Sequence, residues 1–142
     1  MSVFDGTLCQ DVALYLDLTA GSIRGVNTVG GTKNCVNCSV AADATLAGYR
    51  ASALPGGPYR IDVLERVFGT EFNVPEAISQ VMERMLAAGP GARGIVFGVR
   101  SSGVGHVFNV VNQKGVLRFL DGQTGHAATL DGYTYFRFLR TN

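Results

Sequence analysis

Apolar and small side chains recur at helical spacing in three segments of the chain. A stripe of this kind predicts a helix that buries one face against the rest of the protein. Asn34 is a good N-cap and Gly48 a good stop for the first segment, and Gly69 ends the second. Proline suits the first position of a helix, so the third is expected to begin at Pro75. The predicted helices run from Cys35 to Ala47, from Ile61 to Phe68, and from Pro75 to the residue before Gly89.

The pattern changes in the second half of the chain, where short runs rich in Val, Phe and Tyr are separated by glycines. Such runs predict β-strands. Gln113, Lys114 and Gly115 predict a tight hairpin between two of them. We therefore expect an α+β fold in which N-terminal helices pack on a C-terminal antiparallel meander. The predicted strands are Gly94–Arg100, Val104–Asn112, Val116–Asp121 and Tyr133–Leu139.

The N-terminal stretch from Phe4 to Ala20 carries an apolar block between Val12 and Leu16. A run this short is compatible with a helix or with a buried strand, and we predict a helix. The chain has 142 residues and shows neither an internal repeat nor a linker. Residues 1–142 are therefore expected to form one domain.

Composition narrows the possible partners. The chain is 46% hydrophobic and 16% charged, with 12 basic residues scattered among 11 acidic ones and a net charge of +1. Nucleic-acid binders usually carry a basic stripe, so no nucleic-acid partner is expected. The apolar runs are far below the roughly 18 residues that span a bilayer, so no membrane partner is expected either. The N-terminus also lacks the order of a secretory signal peptide.

A Cys-x-x-Cys motif, formed by Cys35 and Cys38, lies where a glycine-rich loop leads into the first predicted helix. The unpaired amides and the macrodipole at a helix N-terminus lower the pKa of a thiol, and the thiolate is the nucleophile. The same amides can receive the oxyanion that forms when a thiolate attacks an amide carbonyl. The motif therefore indicates a catalytic cysteine.

Three other interpretations of this motif stay open. A zinc site needs about four ligands, and only Cys9, His106 and His126 remain to complete one. A thioredoxin-like redox pair is expected near a βαβ pattern, which the glycine-rich loop before Asn34 does not suggest. Both cysteines could also be small buried residues without chemistry.

A second group of candidate residues lies on the predicted hairpin. His106 and Asp121 are at nearly equal distance from the turn near Lys114, which makes them near cross-strand partners. A carboxylate there could hold the imidazole by its second ring nitrogen, the orienting role in a Cys, His, Asp triad. The plainer alternatives are a surface histidine and an ordinary Asp-Gly turn. His126 follows no apolar strand and is predicted to lie in a loop.

At these residues the chain resembles the papain-fold toxin domains of the toxin glutaminase class, found at the C-termini of bacterial polymorphic toxins. The similarity covers most of the chain from Asn34 onward and is not clear before Gly30. It rests on Asn-Cys-x-x-Cys with Ala41, Asp43, Leu46 and Gly48, and on the segments Ala51–Pro55, Gly91–Gly94, Gly105–Asn109 and Leu120–Gly125.

The resemblance implies a compact papain-like α+β fold with Cys35, His106 and Asp121 in that chain order as catalytic residues. It also implies a cysteine-dependent deamidase without a cofactor, which hydrolyses glutamine side chains of host proteins through a thioacyl intermediate. By the same resemblance we expect a cognate immunity protein as partner. A larger toxin would deliver the domain, which would act in the cytoplasm of the target cell.

Two assignments within this site have a rival. Papain-like enzymes often carry a cysteine three residues before the nucleophile, which would favour Cys38. We prefer Cys35, because free amides are densest at the very start of a helix, and Cys38 would then serve packing. Gln123 is the rival orienter to Asp121, but an amide cannot stabilise imidazolium as an anion does.

The same thiolate chemistry serves three reactions. A glutamine side chain gives deamidation, a peptide bond gives proteolysis, and an amine in place of water gives transglutamination. A non-catalytic metal-binding or interaction module built on the two cysteines is the alternative from another class of function.

Overall fold

The computed structural model describes residues 22–142, and these form three helices and one five-stranded sheet. The α+β class expected from the sequence is confirmed. The helix predicted between Phe4 and Ala20 lies outside the described residues. The elements are α1 (Cys35–Leu46), α2 (Asp62–Phe68), α3 (Ile78–Ala88), β1 (Arg93–Val99), β2 (Gly105–Gln113), β3 (Val116–Asp121), β4 (His126–Ala127) and β5 (Tyr135–Arg140).

The sheet is antiparallel throughout, with the strand order β4-β3-β2-β1-β5. β1, β2 and β3 lie side by side in chain order, as the predicted meander requires, and β4 extends it. The last strand does not continue it, because β5 crosses to the other edge and pairs with β1, with Ile95 opposite Leu139. β4 was not predicted, since a strand of two residues is too short to show alternation. Tyr133 precedes β5 and does not begin it.

The turn between β2 and β3 fixes the register of the hairpin. Lys114 and Gly115 both have positive φ, 55° and 90°, which is the conformation of a two-residue type I′ turn. Gln113 therefore pairs with Val116, and Asn109 pairs with Leu120 further along. The predicted hairpin is confirmed. Its register brings the start of β2 and the end of β3 to one end of the sheet.

The start of α3 corrects the sequence prediction. The helix begins at Ile78 and not at Pro75. Glu76 is extended and exchanges two backbone hydrogen bonds with Phe136, of 2.8 and 2.9 Å. Glu76 therefore pairs with the edge strand β5, although its place after Pro75 predicted that it would lie in the first turn of the helix. The side chain of Gln80 accepts a hydrogen bond from the amide of Ala77, 2.9 Å away, and so closes the helix start.

Helices cover both faces of the sheet. Side chains of β2 alternate between them, so Val107 and Val111 pack with α1 and α2, whereas Phe108 and Val110 pack with α3. The core on the α1 side includes the buried side chains of Val36, Cys38, Ala42, Leu64, Ile95 and Leu120. The α3 side includes Val81, Met85, Val96, Phe136 and Phe138. None of the helices within residues 22–142 is long and apolar enough to cross a membrane.

A buried ion pair ties α1 to the sheet. Oδ1 of Asp43 accepts a hydrogen bond from Nε of Arg93, 3.2 Å away, and another from the hydroxyl of Thr141, 2.6 Å away. The side chains of Asp43 and Arg93 are only 8% and 19% exposed. This contact fixes the helix that begins at Cys35 against the first strand.

We expect Asp43→Asn to lower the free energy of unfolding by about 2–4 kcal/mol, because it leaves a partly buried guanidinium without its counter-charge. Urea unfolding followed by circular dichroism measures this change. Asp62→Asn is the control, since Asp62 pairs with Arg60 and Arg66 on the surface and should change stability by less than about 0.5 kcal/mol. Equal effects of the two variants would contradict the role assigned to Asp43.

Candidate active site

Cys35 is the first residue of α1 and follows the loop of residues 22–34. The amide of Cys38 is the first in the helix with an acceptor four residues back, donating to the carbonyl oxygen of Asn34 at 2.9 Å. Asn34 stands at the predicted N-cap position, but its side chain makes no capping hydrogen bond. The prediction is right in position and wrong in interaction. Within residues 22–142, the amides of the first turn beside Cys35 therefore receive no capping hydrogen bond from Asn34.

His106 joins the cysteine to the aspartate. Its Nε2 lies 2.8 Å from Oδ2 of Asp121, and the ring also makes a hydrogen bond with Cys35. Because Asp121 occupies Nε2, the bond to sulfur falls to the other ring nitrogen, Nδ1. Oδ1 of Asp121 accepts a hydrogen bond from the amide of Gln123, 2.9 Å away. The structure thus brings together the three residues that the sequence proposed.

The thiol of Cys35 is biased towards its thiolate. Burial raises its pKa, but the hydrogen bonds from His106 and from the amide of Val107, with the attraction of His106, outweigh burial. The net pKa is lower than that of an ordinary cysteine. A partly buried thiolate with two donors on its sulfur is the ionisation state that nucleophilic attack requires.

His106 is biased in the opposite direction. Burial lowers its pKa, whereas the hydrogen bonds and the negative charges of Asp121 and Cys35 raise it, with a net value of about 9. The imidazole is therefore protonated near neutral pH. A lowered pKa on the sulfur and a raised pKa on the ring are the shifts expected of two coupled groups that favour a thiolate and imidazolium pair.

Cys38 has the properties of a packing residue. It is 1% exposed and lies in the apolar cluster between α1 and the sheet. Burial raises the pKa of its thiol to about 12, and the charges of Asp121 and Cys35 act in the same direction. This thiol is therefore protonated and inaccessible, as expected for the second cysteine of the motif if Cys35 is the nucleophile.

A network of side-chain amides lies behind the site. Nδ2 of Asn34 donates to Oδ1 of Asn27 at 2.9 Å, and Oδ1 of Asn34 accepts from Nε2 of Gln123 at 3.3 Å. Asn27 in turn donates to the carbonyl oxygens of Gly31 and Gln123, at 2.8 and 3.0 Å. Gln123, the rival orienter, therefore bonds the residue before Cys35 through its side chain. This network was not predicted, because the sequence shows only an asparagine before a helix and not its distant partners.

Cys35, His106 and Asp121 line a groove with a volume of about 680 Å³. Its walls include Lys33, Arg100 and Tyr133, which the sequence analysis did not identify as site residues. His126 also lines the groove, and it lies in β4, paired with Asp121, and not in the predicted loop. Lys33 lies before α1, Arg100 after β1, and Tyr133 before β5. These segments meet only after folding, so sequence spacing gave no direct signal for the groove.

The described part of the chain contains no group of three or more His, Cys, Asp or Glu side chains arranged to hold a metal ion. Cys9, one of the ligands considered for zinc, lies outside it.

Similarity to known proteins identifies the family of the chain. Residues 33–126 match a family of papain-fold toxins. The family is described as papain fold toxin 1, glutamine deamidase, and because the match covers more than half of the chain, the protein belongs to it. The fold is therefore papain-like, and a glutamine deamidase is a hydrolase. No curated protein and no solved structure matches the chain.

We expect iodoacetamide to alkylate Cys35 at pH values well below those needed for an ordinary thiol of pKa about 8.5, and to leave Cys38 unmodified in the folded protein. Labelling at several pH values, followed by peptide mapping, measures each site separately. In His106→Ala the pKa of Cys35 should rise, because the hydrogen bond and the charge of His106, which lower this pKa against the effect of burial, are lost. Faster labelling of Cys38 than of Cys35 would contradict the assignment.

Proposed function

We propose that this domain is a cysteine-dependent protein-glutamine deamidase that acts as a bacterial toxin effector. The chain of hydrogen bonds from Cys35 through His106 to Asp121, opening into a groove, is the observation that carries the proposal. The family supports the choice of glutamine as the group attacked. Protease and transglutaminase activity use the same chemistry, and the test below distinguishes them.

Acylation begins with attack of the Cys35 thiolate on the carbonyl carbon of a glutamine side chain. The carbonyl oxygen becomes an oxyanion, and we assign its stabilisation to the amides at the start of α1, which the side chain of Asn34 does not cap. His106 then donates its proton to the amide nitrogen, and the carbon–nitrogen bond breaks. Ammonia leaves, and a thioester joins Cys35 to the substrate.

Deacylation reverses the role of the histidine. The ring that gave up its proton is now a base, and it takes a proton from water as the oxygen attacks the thioester. The carbon–sulfur bond breaks, glutamate is released, and the thiolate and imidazolium pair is restored. The carboxylate of Asp121 stabilises the imidazolium before and after the cycle and holds the ring so that its other nitrogen faces the sulfur.

The biological setting follows from the family. A toxin domain has to be delivered, so we propose that a larger toxin carries it and that it acts on host proteins in the cytoplasm of the target cell. A producing cell needs protection from such an activity, and a cognate immunity protein is the partner that we propose for this purpose.

Cys35→Ala should abolish deamidation, with a loss of at least about a thousandfold, because no other group can form the thioester. Cys38→Ala is the matched control and should keep activity while lowering stability by about 1 kcal/mol. Mass spectrometry of a host lysate treated with each variant is the measurement. A small mass gain on glutamine identifies deamidation, new chain termini identify proteolysis, and cross-links identify transglutamination.

The reverse result, with Cys38→Ala inactive and Cys35→Ala active, would overturn the nucleophile. New termini without any mass gain on glutamine would replace the deamidase by a protease.

Activity should fall on the alkaline side near pH 9, where His106 loses the proton that ammonia needs. Asp121→Asn removes the anion that raises the pKa of His106, so this limb should move to lower pH. We also expect kcat/KM to fall by on the order of 10²–10⁴. Glu83→Gln, the same loss of charge on the exposed surface of α3, should leave the profile unchanged. An alkaline limb that stays in place in Asp121→Asn would contradict the orienting role.

A further inference from the structure

The groove around Cys35 carries two basic side chains that the reaction does not use. Lys33 stands two residues before Cys35, and Arg100 follows β1, so the charges come from two separate segments of the chain. Both side chains belong to exposed residues and line the same groove. Neither makes an ion pair with a carboxylate in the described structure.

Arg100 makes two contacts with Tyr133, which also lines the groove. Its guanidinium carbon lies 4.7 Å from the centre of the Tyr133 ring, and one of its nitrogens lies 3.2 Å from the Tyr133 hydroxyl. Burial raises the pKa of Tyr133, the charge of Arg100 lowers it, and the charges of Asp121 and Cys35 raise it. Tyr133 lines the same groove as these two catalytic groups. A guanidinium stacked in this way is a pre-organised site for a carboxylate, because little conformational freedom is lost on binding.

Negative charge is scarce along the same walls. Among the described residues that line the groove, Asp121 is the one carboxylate, and it is 9% exposed with its oxygens bonded to His106 and to the amide of Gln123. A substrate segment in the groove therefore meets positive charge beside the nucleophile and no exposed carboxylate on these walls. Fields of one sign lining a cleft favour ligands of the other sign.

We propose that the groove selects glutamines flanked by acidic side chains, with Lys33 and Arg100 as the residues that determine this specificity. The inference rests on the proposed deamidase function and adds to it the chemical class of the substrate. Carboxylates near the target glutamine pair with the two basic side chains, raise the rate of encounter and hold the carboxamide near Cys35.

The first test probes the groove without any substrate. The rates at which iodoacetate, an anion, and iodoacetamide, a neutral molecule of similar size, alkylate Cys35 are compared at low ionic strength. Lys33→Glu and Arg100→Glu should each lower the ratio of the iodoacetate rate to the iodoacetamide rate by about threefold or more. Added salt should reduce this difference between the variants and the unmodified protein. Lys114→Glu, the same charge reversal in the β2–β3 turn, should leave the ratio unchanged. Urea unfolding confirms that each variant is folded.

The second test uses three synthetic peptides with one glutamine, flanked by glutamates, by serines or by lysines, and measures ammonia release. We expect kcat/KM to fall in that order, by at least about fivefold from the acidic to the serine peptide. The double variant Lys33→Glu with Arg100→Glu should reverse the order, and Lys114→Glu should keep it.

The outcomes separate the two proposals. The acidic preference is overturned if all three peptides are deamidated equally, or if the alkylation ratio is unchanged in both Lys33→Glu and Arg100→Glu. Either result leaves the proposed deamidase function in place. If neither the peptides nor proteins of a host lysate are deamidated, the proposed function fails, and the substrate preference fails with it.

Discussion

The close docking of α1 on the sheet is the constraint on which the rest of the site depends. Small residues make it possible, since Ala41, Ala42 and Cys38 face the sheet with little side chain between them and its backbone. A Cβ atom on Gly122 would lie 2.9 Å from the carbonyl oxygen of Cys38 and 3.2 Å from Cβ of Ala42. Any larger side chain at this position would push the helix away. The helix start would then move relative to the strand that carries the histidine.

The hydrogen bonds of Asn34 explain why its side chain does not cap the start of α1. In most helices a side chain such as that of Asn34 would satisfy an amide of the first turn. Here tertiary contacts with Asn27 and Gln123 hold the side chain elsewhere. The start of α1 loses the stabilisation of a side-chain cap, and its first amides stay available beside the sulfur of Cys35. The same network links the segment before Cys35 to the segment after Asp121, and so it helps to fix the positions of these two residues relative to each other.

The electrostatics of the site form one coupled arrangement. Burial alone would neutralise both the thiol and the imidazole. The hydrogen bonds between Cys35, His106 and Asp121 reverse this outcome for both groups, while Cys38, one helical turn away and without such partners, stays protonated. Position on the helix, and not the identity of the residue, therefore separates the reactive thiol from the inert one. In the substrate selection that we propose, Lys33 and Arg100 add a longer-range field that acts on the approach of the substrate.

The sequence by itself determined the helices α1 and α2 nearly to the residue, the β2–β3 hairpin, and the pairing of His106 with Asp121. These features follow from local propensities, from turn chemistry, and from the period of two along a strand, which a single sequence displays. Only the tertiary structure decided the crossing of β5 to the far edge, the start of α3 beyond Pro75, the partners of Asn34, and the place of Lys33, Arg100 and His126 around Cys35. These depend on contacts between residues far apart in the chain, where packing and backbone pairing override local preference, and such contacts leave no periodic trace in the sequence.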